Sequence, residues 1–195
     1  MNNPGVLIVF SGPSGAGKDT VLKELLALNK NLCLSVSATT RSPREGEQDG
    51  KDYFFLSRER FEEMIRADQM LEHAVYCDNY YGTPRGPVDE ALAAGKDVIL
   101  EIEVNGASQI IRKCPGCVSI FLMPPSIAVL EHRLRKRQTE DEQTIQKRLA
   151  KAREEMSHAS SYGHVVVNDA LEKAVADIDA ILRAEKQKRS DEDQK

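Results

Sequence analysis

Short apolar runs alternate with segments of helical periodicity along most of the chain. The runs that predict buried strands lie at residues 6–10, 32–36, 97–103, 118–123 and 165–167. Helices between and after them are predicted at residues 21–26, 88–94, 107–112 and 171–185. This alternation predicts an α/β protein, in which helices cover both faces of a parallel sheet and a ligand binds at the carboxyl ends of the strands.

Residues 37–87 interrupt this alternation with a long stretch that begins polar and rich in turn residues. The pattern within it predicts a strand at 53–56, a helix at 58–67 capped by Ser57, a strand at 71–76 and a loop at 79–84. We expect an inserted lobe here, attached to a core of residues 4–36 and 88–185.

Two further helices are predicted between the last two strands. Ser126 caps the first, and Thr139 with Glu142 forms a capping box at the start of the second. The second helix has a predicted buried stripe of Ile145, Leu149, Ala152 and Met156. Residues 186–195 contain no apolar side chain, which predicts a disordered tail.

Length and charge limit the possible partners. The chain has 195 residues, enough for one substantial core, and a net charge of −4, which provides no general attraction for nucleic acid or anionic membranes. No apolar run approaches the ~18 residues of a membrane span. We therefore expect a cytosolic protein that binds neither nucleic acid nor membrane, and the sequence leaves its oligomeric state open.

The four cysteines include one closely spaced pair, Cys114 and Cys117. This spacing occurs in zinc sites and redox turns, but Cys33 and Cys77 lie far from it and do not complete a ligand set. We favour reduced thiols in a turn before a strand.

The segment 12–20 joins the first predicted strand to the first predicted helix. It consists of Gly12, Pro13, Ser14, Gly15, Ala16, Gly17, Lys18, Asp19 and Thr20. The glycines let backbone N–H groups approach phosphate oxygens, the helix N-terminus adds a positive end, and Lys18 supplies an ammonium. A simple strand–helix turn would not need that lysine. The segment therefore predicts a phosphate loop that binds a nucleoside triphosphate.

Asp19 departs from the phosphate-loop pattern, in which a serine or threonine hydroxyl binds magnesium. Its carboxylate either points away from the phosphates or reaches the magnesium ion, directly or through water. We favour contact through water near Asp19, Thr20 and Glu101, with the Thr20 hydroxyl on a phosphate.

Phosphoryl transfer needs the donor held, the developing charge neutralised and the acceptor placed in line. Arg137 and Arg148, on the two helices predicted between the last two strands, suit the transferring group. Arg41 and Arg44 suit an anionic acceptor, because a guanidinium pairs two oxygens at once. The alternative for Arg133, Arg137 and Arg148 is a solvated helix face.

Several segments resemble the guanylate kinases, which transfer the γ-phosphate of ATP to GMP. They are GPSGAGK at 12–18, TTRSPREGEQDGKDYFF at 39–55, Leu71–Glu72, NYYGT at 79–83, LEIEVNGA at 100–107 and VVND at 166–169. The segment at 39–55 is the most specific, because many unrelated enzymes share the phosphate loop. The resemblance implies a P-loop NTPase-type fold with an NMP-binding lobe at 37–87 and a helical lid at 126–158.

The resemblance also implies two nucleotide sites and a Mg²⁺ ion. On the ATP side it implies the phosphate loop, Arg133, Arg137 and Asn168, the last of which would line the adenine pocket. On the GMP side it implies Ser37, Arg41, Arg44, Glu47, Tyr53, Glu72, Tyr81, Thr83, Glu101 and Glu103. Lys18, Arg44, Arg137 and Arg148 would act on the transferring group, and dGMP is an expected second acceptor.

Guanine recognition fits the chemistry of Glu72. Guanine presents adjacent N1–H and N2–H donors that one carboxylate can accept together, whereas adenine would leave the carboxylate unpaired. Asn105 and Gln138 differ from the family, which often has glutamine and glycine there, and Gln138 would stiffen the lid.

Two other functions remain as alternatives. One is a catalytically inactive guanylate-kinase-like module that binds proteins, although Lys18, Arg137 and Arg148 are all retained. The other is a related kinase with a different phosphorylated acceptor, against which Glu72 and Thr83 argue. A GTPase switch is disfavoured, because the sequence has no Asp-x-x-Gly.

Overall fold

A computed structural model describes residues 4–136 and 141–192. The strands in this part of the chain are β1 (Leu7–Ser11), β2 (Leu32–Leu34), β3 (Ala38–Thr39), β4 (Phe54–Phe55), β5 (Met70–Tyr76), β6 (Asn79–Pro84), β7 (Asp97–Glu101), β8 (Val118–Met123) and β9 (His164–Val167). The helices are α1 (Lys18–Leu28), α2 (Arg58–Arg66), α3 (Arg85–Ala93), α4 (Val104–Lys113), α5 (Ile127–Lys136), α6 (Glu142–Ser157) and α7 (Leu171–Glu192), with a 3₁₀ turn at Ala159–Ser161.

The main sheet is parallel, with the strand order β2-β7-β1-β8-β9. Leu22 and Leu25 of α1 pack with Ile178 and Leu182 of α7 in one buried cluster. Val88 of α3 and the α4 residues Val104, Ala107 and Ile110 belong to a second. Full burial of such side chains stabilises the fold by about 1.5–3 kcal/mol each. The predicted α/β class is therefore confirmed. The carboxyl ends of β1 and β7 lie next to each other at one edge of the sheet, where Phe10 pairs with Glu101.

A second sheet, with the order β4-β3-β6-β5, lies within residues 38–84 and packs on Phe61 of α2. The prediction of a loop at residues 79–84 is wrong, because this segment forms β6. Cys77 and Asp78 both have positive φ, 48° and 62°, and form a two-residue hairpin turn that aligns β6 antiparallel to β5. The bounds of the predicted lobe, residues 37–87, stay a prediction.

Helices α5 and α6 pack against each other through Leu130, Leu134, Ile145 and Leu149. Ser126 caps α5 as predicted, since its hydroxyl accepts the Val129 N–H. The capping box predicted for α6 is wrong. Asp141 is the N-cap and accepts the Thr144 N–H, while Glu142 binds Arg135. Thr139, like Arg137 and Gln138, lies outside the described residues. The buried stripe of α6 ends on Glu155 rather than Met156.

The disordered tail predicted from residue 186 is wrong for residues 186–192, which continue α7 to Glu192. The absence of apolar residues is compensated by two polar contacts. Lys186 Nζ lies 2.5 Å from Oδ2 of the buried Asp97, and the Arg189 guanidinium binds the Gly116 carbonyl oxygen. The last turns of α7 are therefore held to the core by hydrogen bonds instead of apolar packing.

Gly116 belongs to the turn between α4 and β8, which also contains the closely spaced cysteines. The Cys117 N–H donates to the Cys114 carbonyl oxygen at 2.8 Å, and both thiols are free. Within residues 4–136 and 141–192, no helix combines the length and the apolar character needed to cross a membrane. The cytosolic location stays a prediction.

Candidate active site

The segment between β1 and α1 has the geometry of a phosphate loop. Gly17 is the N-cap of α1 and has a φ of 93°, a value that L side chains rarely adopt. A Cβ atom at this position would also lie 2.7 Å from Asn168 Nδ2. Both the backbone conformation and the limited space therefore require glycine at this position. The N-terminus of α1 points its free N–H groups at the cavity that the loop borders.

Lys18 turns its side chain back over this loop. Its Nζ donates to the Gly12 carbonyl oxygen at 2.7 Å and lies 3.4 Å from the Pro13 carbonyl oxygen. The ammonium group is thereby held at the mouth of the loop, where phosphate oxygens would pair with it.

Asn168 and Arg133 both bind the Ala16 carbonyl oxygen of the loop. Asn168 Nδ2 donates at 2.7 Å and an Arg133 guanidinium nitrogen at 3.4 Å, while another Arg133 nitrogen donates to the Asn168 carbonyl oxygen at 2.9 Å. The end of β9 and helix α5 are thus tied to the phosphate loop. The three lie around a cavity of about 420 Å³, lined by Gly15, Gly17, Thr20, Arg133, Lys136, Asn168, Asp169 and Leu171.

A second cavity of about 420 Å³ also borders the loop. It shares Gly15, Gly17 and Thr20 with the first and extends to the carboxyl end of β7 and to the second sheet. Its remaining lining residues include Lys18, Asp19, Tyr53, Glu101, Glu103, Lys151 and Glu155. The two cavities therefore meet at the phosphate loop.

Two carboxylates, those of Asp19 and Glu101, meet beside Lys18 in the second cavity. Burial raises the pKa of Glu101, the Asp19 carboxylate raises it further, and Lys18 opposes the rise. Among the described residues, no group of three or more His, Cys, Asp or Glu side chains is placed to hold a metal. Mg²⁺ is usually held by one or two carboxylates together with waters and phosphate oxygens. The Asp19–Glu101 pair fits an ion of that kind.

Glu72 lies on β5 at the junction of the second sheet with α4. It is buried, and the Thr83 hydroxyl on the neighbouring strand donates to its Oε1 at 2.8 Å. Burial raises the pKa of Glu72, and the hydrogen bond from Thr83 opposes the rise. A carboxylate has about four acceptor sites, so this one retains capacity for a ligand that carries donors.

Arg41 lies in a cluster of aromatic and acidic side chains on the second sheet. It pairs both guanidinium ends with Glu47, at 2.9 and 3.0 Å, and this pairing lowers the pKa of Glu47. Its guanidinium carbon lies 5.5 Å from the Tyr53 ring centre, and Tyr53 packs on Tyr81 with ring centres 6.2 Å apart. Glu47 thus fixes the orientation of Arg41 beside the side chains of Tyr53 and Tyr81.

The structure does not bring every predicted residue into these cavities. Predicted residues that line neither of them include Arg41, Glu47, Glu72, Tyr81 and Thr83. The Arg44 side chain is exposed, and its backbone N–H donates to Glu47. The Ser37 carbonyl oxygen accepts the Phe54 N–H, which pairs Ser37 with β4. Arg148 is half-buried on α6, and Arg137 lies outside the described residues.

Lys151 and Glu155 of α6 also line the second cavity and are not among the predicted site residues. Lys151 Nζ lies 3.3 Å from both carboxylate oxygens of Glu103, 3.6 Å from Glu155 Oε1 and 5.1 Å from the Tyr76 ring centre. Burial raises the pKa of Glu155, and both the Lys151 ammonium and the Ser14 backbone N–H oppose this rise. A charged residue three positions after Ala152, on the buried face of a predicted helix, is the signal that could have revealed Glu155.

A strand, a glycine loop with a lysine and a helix at the centre of a parallel sheet define a P-loop nucleotide-binding protein. The family model named Guanylate kinase matches residues 5–185. The chain belongs to the guanylate kinase family.

Individual relatives agree with this family. The chain is 52% identical to the guanylate kinase of Carboxydothermus hydrogenoformans and 54% identical to that of Desulfitobacterium hafniense. Each match covers 94% of this chain and 90% and 92% of the relatives. The crystal structure of guanylate kinase from Anaplasma phagocytophilum is similar with a TM-score of 0.74 at 37% identity, covering 94% of this chain and 87% of that one.

Proposed function

We propose that this protein transfers the γ-phosphoryl group of ATP to GMP, forming ADP and GDP. The observation that carries the proposal is the buried pair of Glu72 and Thr83, whose carboxylate keeps acceptor capacity for a ligand with donors. The guanine base has the N1–H and N2–H donors to pair with such an acceptor, and AMP lacks that pair.

ATP would bind with its phosphates on the loop and its adenine in the cavity next to Asn168. Lys18 pairs with the phosphates, and Arg133 fixes the loop by its bond to the Ala16 carbonyl oxygen. Arg137 and Arg148 neutralise charge that develops on the transferring group. The chain uses positioning and charge, because phosphoryl transfer needs little covalent chemistry from the protein.

GMP would bind in the second cavity, with its phosphate facing the γ-phosphate of ATP. Arg41, Arg44, Tyr53 and Tyr81 hold the GMP phosphate, and Glu47 holds Arg41 in place. Glu72 and Thr83, with Ser37, hold the base, and Glu103 contacts the nucleoside.

A Mg²⁺ ion would be held near Asp19, Thr20 and Glu101, by direct bonds or through water. When bound it neutralises charge shared by the donor phosphates. Asp19 thereby takes the place of the usual hydroxyl in the loop, and Glu101 supplies a second carboxylate beside it.

An acceptor panel tests the proposal. ADP release from ATP is measured with GMP, dGMP, AMP, CMP and UMP as acceptors, each over a range of concentrations. We expect turnover with GMP and dGMP and a kcat/KM for AMP lower by at least about 10⁴-fold. Comparable turnover with AMP, or none with GMP, would overturn the assignment.

The role of Lys18 has a separate test. Lys18→Ala removes the ammonium beside the phosphates and should lower kcat by at least about a thousandfold, with the unfolding temperature unchanged. Lys23→Ala, an exposed lysine on the same helix, is the matched control and should retain full activity. Retained turnover in Lys18→Ala would remove this residue from the chemistry.

A further inference from the structure

We propose that Gly106 is a specificity-determining residue: because it has no side chain, it leaves the space in which the Glu72 carboxylate lies when it pairs with guanine. This inference rests on the proposed function, because it assigns to Glu72 the reading of the base. Gly106 belongs to α4 in the core, whereas Glu72 belongs to β5 in the second sheet.

The contact between the two residues is closer than any side chain at position 106 would allow. A Cβ atom on Gly106 would lie 2.4 Å from Glu72 Oε2 and 3.0 Å from its Cδ. Oε1 of the same carboxylate accepts the Thr83 hydroxyl at 2.8 Å. The Glu72 carboxylate is thus fixed between a hydroxyl on one side and the bare Cα of Gly106 on the other.

Helix α4 is hydrogen-bonded to β5 on both sides of Glu72, so moving it away from β5 would cost free energy. Gln109 donates to the carbonyl oxygen of His73 at 2.9 Å, and Lys113 donates to that of Leu71 at 3.1 Å. Leu71 also packs in the same buried cluster as the apolar residues of α4, Val104, Ala107 and Ile110. Moving the helix would break both hydrogen bonds and open this cluster.

The collision of a methyl group at position 106 therefore falls on the carboxylate, which is the free end of a flexible side chain. The backbone of Gly106 has an ordinary helical φ, and alanine is a better helix former than glycine. Gly106→Ala should consequently preserve the fold and displace the carboxylate from its place beside Thr83. Base recognition should suffer, and stability should not.

A displaced carboxylate affects different purines to different extents. Guanine offers two donors to Glu72, whereas hypoxanthine, the base of IMP, offers only N1–H. When the carboxylate moves, kcat/KM should therefore fall more for GMP than for IMP. A defect of packing alone would lower the use of both acceptors, and of ATP, by the same factor.

The first test compares Gly106→Ala with Gly116→Ala. Gly116 is exposed, follows the same helix, and has open space around its Cα, so it is a matched control. For Gly106→Ala we expect kcat/KM for GMP to fall about tenfold or more, the GMP/IMP preference to shrink, and the KM for ATP to stay within twofold. Gly116→Ala should match the wild type. Unchanged GMP constants, or equal losses for GMP and ATP, would overturn the proposal.

The second test is a double-mutant cycle with Glu72→Ala. Once the carboxylate has been removed, a methyl group at position 106 has nothing to displace. Adding Gly106→Ala to Glu72→Ala should therefore change kcat/KM for GMP by less than twofold. A further tenfold loss would mean that Gly106 acts through helix packing, and the proposal would fail. The double variant also removes the collision, so it separates a recognition defect from a folding defect.

Calorimetric titration of the protein with GMP and with IMP measures binding without turnover. It therefore tests the role of Gly106 separately from the proposed activity. If the wild type binds GMP but does not phosphorylate it, the proposed activity fails while the dissociation constants still test Gly106. We expect Gly106→Ala to weaken GMP binding about tenfold and IMP binding less. Equal weakening of both nucleotides, or of neither, would contradict the role of Gly106.

Discussion

Glu72 combines an unfavourable buried charge with the task of recognising a base. Burial raises its pKa, so the folded state binds the Glu72 proton more tightly than the unfolded state does. The resulting stabilisation is fully present below the ordinary glutamate pKa of about 4.3 and is lost as the pH rises through the folded pKa. At neutral pH this carboxylate therefore costs stability.

Glu72→Gln should separate recognition from stability. At pH 7.5 we expect the variant to unfold at a higher temperature than the wild type, because it buries no charge, and this difference should vanish near pH 4. Its kcat/KM for GMP should fall at least about a hundredfold. Thermal unfolding at both pH values and steady-state kinetics check the two effects. Glu45→Gln, at an exposed position of the same lobe, is the control, and a lower unfolding temperature for Glu72→Gln at pH 7.5 would contradict the argument.

The sequence predicts some of these residues and not others, for a physical reason. The phosphate loop is contiguous, so its glycines and Lys18 carry their geometry in their spacing. The contact of Gly106 with Glu72 joins a core helix to a strand of the other sheet, and no local pattern encodes it. The same is true of Lys151, whose partners Glu103 and Tyr76 come from two other segments.

At the scale of elements, the end of α7 shows how a polar segment is held in place. Lys186 binds Asp97, which is buried and also accepts the Val6 N–H through its other oxygen at 3.0 Å. Removing the ammonium leaves a buried carboxylate oxygen without its partner, and such losses cost about 1–3 kcal/mol.

Lys186→Ala should accordingly destabilise the protein by about 1–3 kcal/mol in urea unfolding at neutral pH. The comparison is Lys188→Ala, which removes a lysine paired with Glu185 near the surface and should change the free energy of unfolding by less than about 0.5 kcal/mol. Kinetic constants should remain those of the wild type in both. Equal stability of the two variants would show that the tie to Asp97 contributes little.

Element boundaries were predictable where burial dominates. The strand at residues 118–123 agrees with β8 residue for residue, since all of its positions are apolar or enclosed. Residues 79–84 gave the opposite result, because Asn79, Gly82 and Pro84 are turn formers locally and yet pair as β6 through tertiary contacts with β3 and β5. The cap of α6 lies two residues later than predicted, because Thr139 and Asp141 are both good cap residues and the sequence does not choose between them. In the structure Asp141 accepts the Thr144 N–H.

At the scale of the whole molecule, Lys151 connects parts that are far apart in sequence. It binds Glu103 of the core and lies over the ring of Tyr76, at the tip of the β5–β6 hairpin. These contacts hold the second sheet near α6. Phosphoryl transfer requires that water be kept out, so we expect the lobe and the lid to close over both nucleotides. Lys151 contacts both the core and the lobe, and this closure would change its contacts.

Lys151→Ala should loosen this connection. A cation–π contact and a surface ion pair together contribute on the order of 1 kcal/mol, so the KM for GMP should rise about fivefold. The radius of gyration from small-angle scattering should increase in the free variant and equal that of the wild type when ATP and GMP analogues are bound. Lys147→Ala, an exposed lysine one turn earlier, should show neither change. A free variant with the scattering profile of the wild type would count against this connection.

Asp97 binds Val6 through one carboxylate oxygen and Lys186 through the other, which places the two ends of the domain side by side. A short linker could join them, and the polypeptide could then be opened elsewhere, for example in the exposed turn at Pro115 and Gly116. The order of segments along the backbone would change while every contact of both cavities was kept. Circular permutation is therefore compatible with this architecture, and both nucleotide sites should persist in the rearranged enzyme.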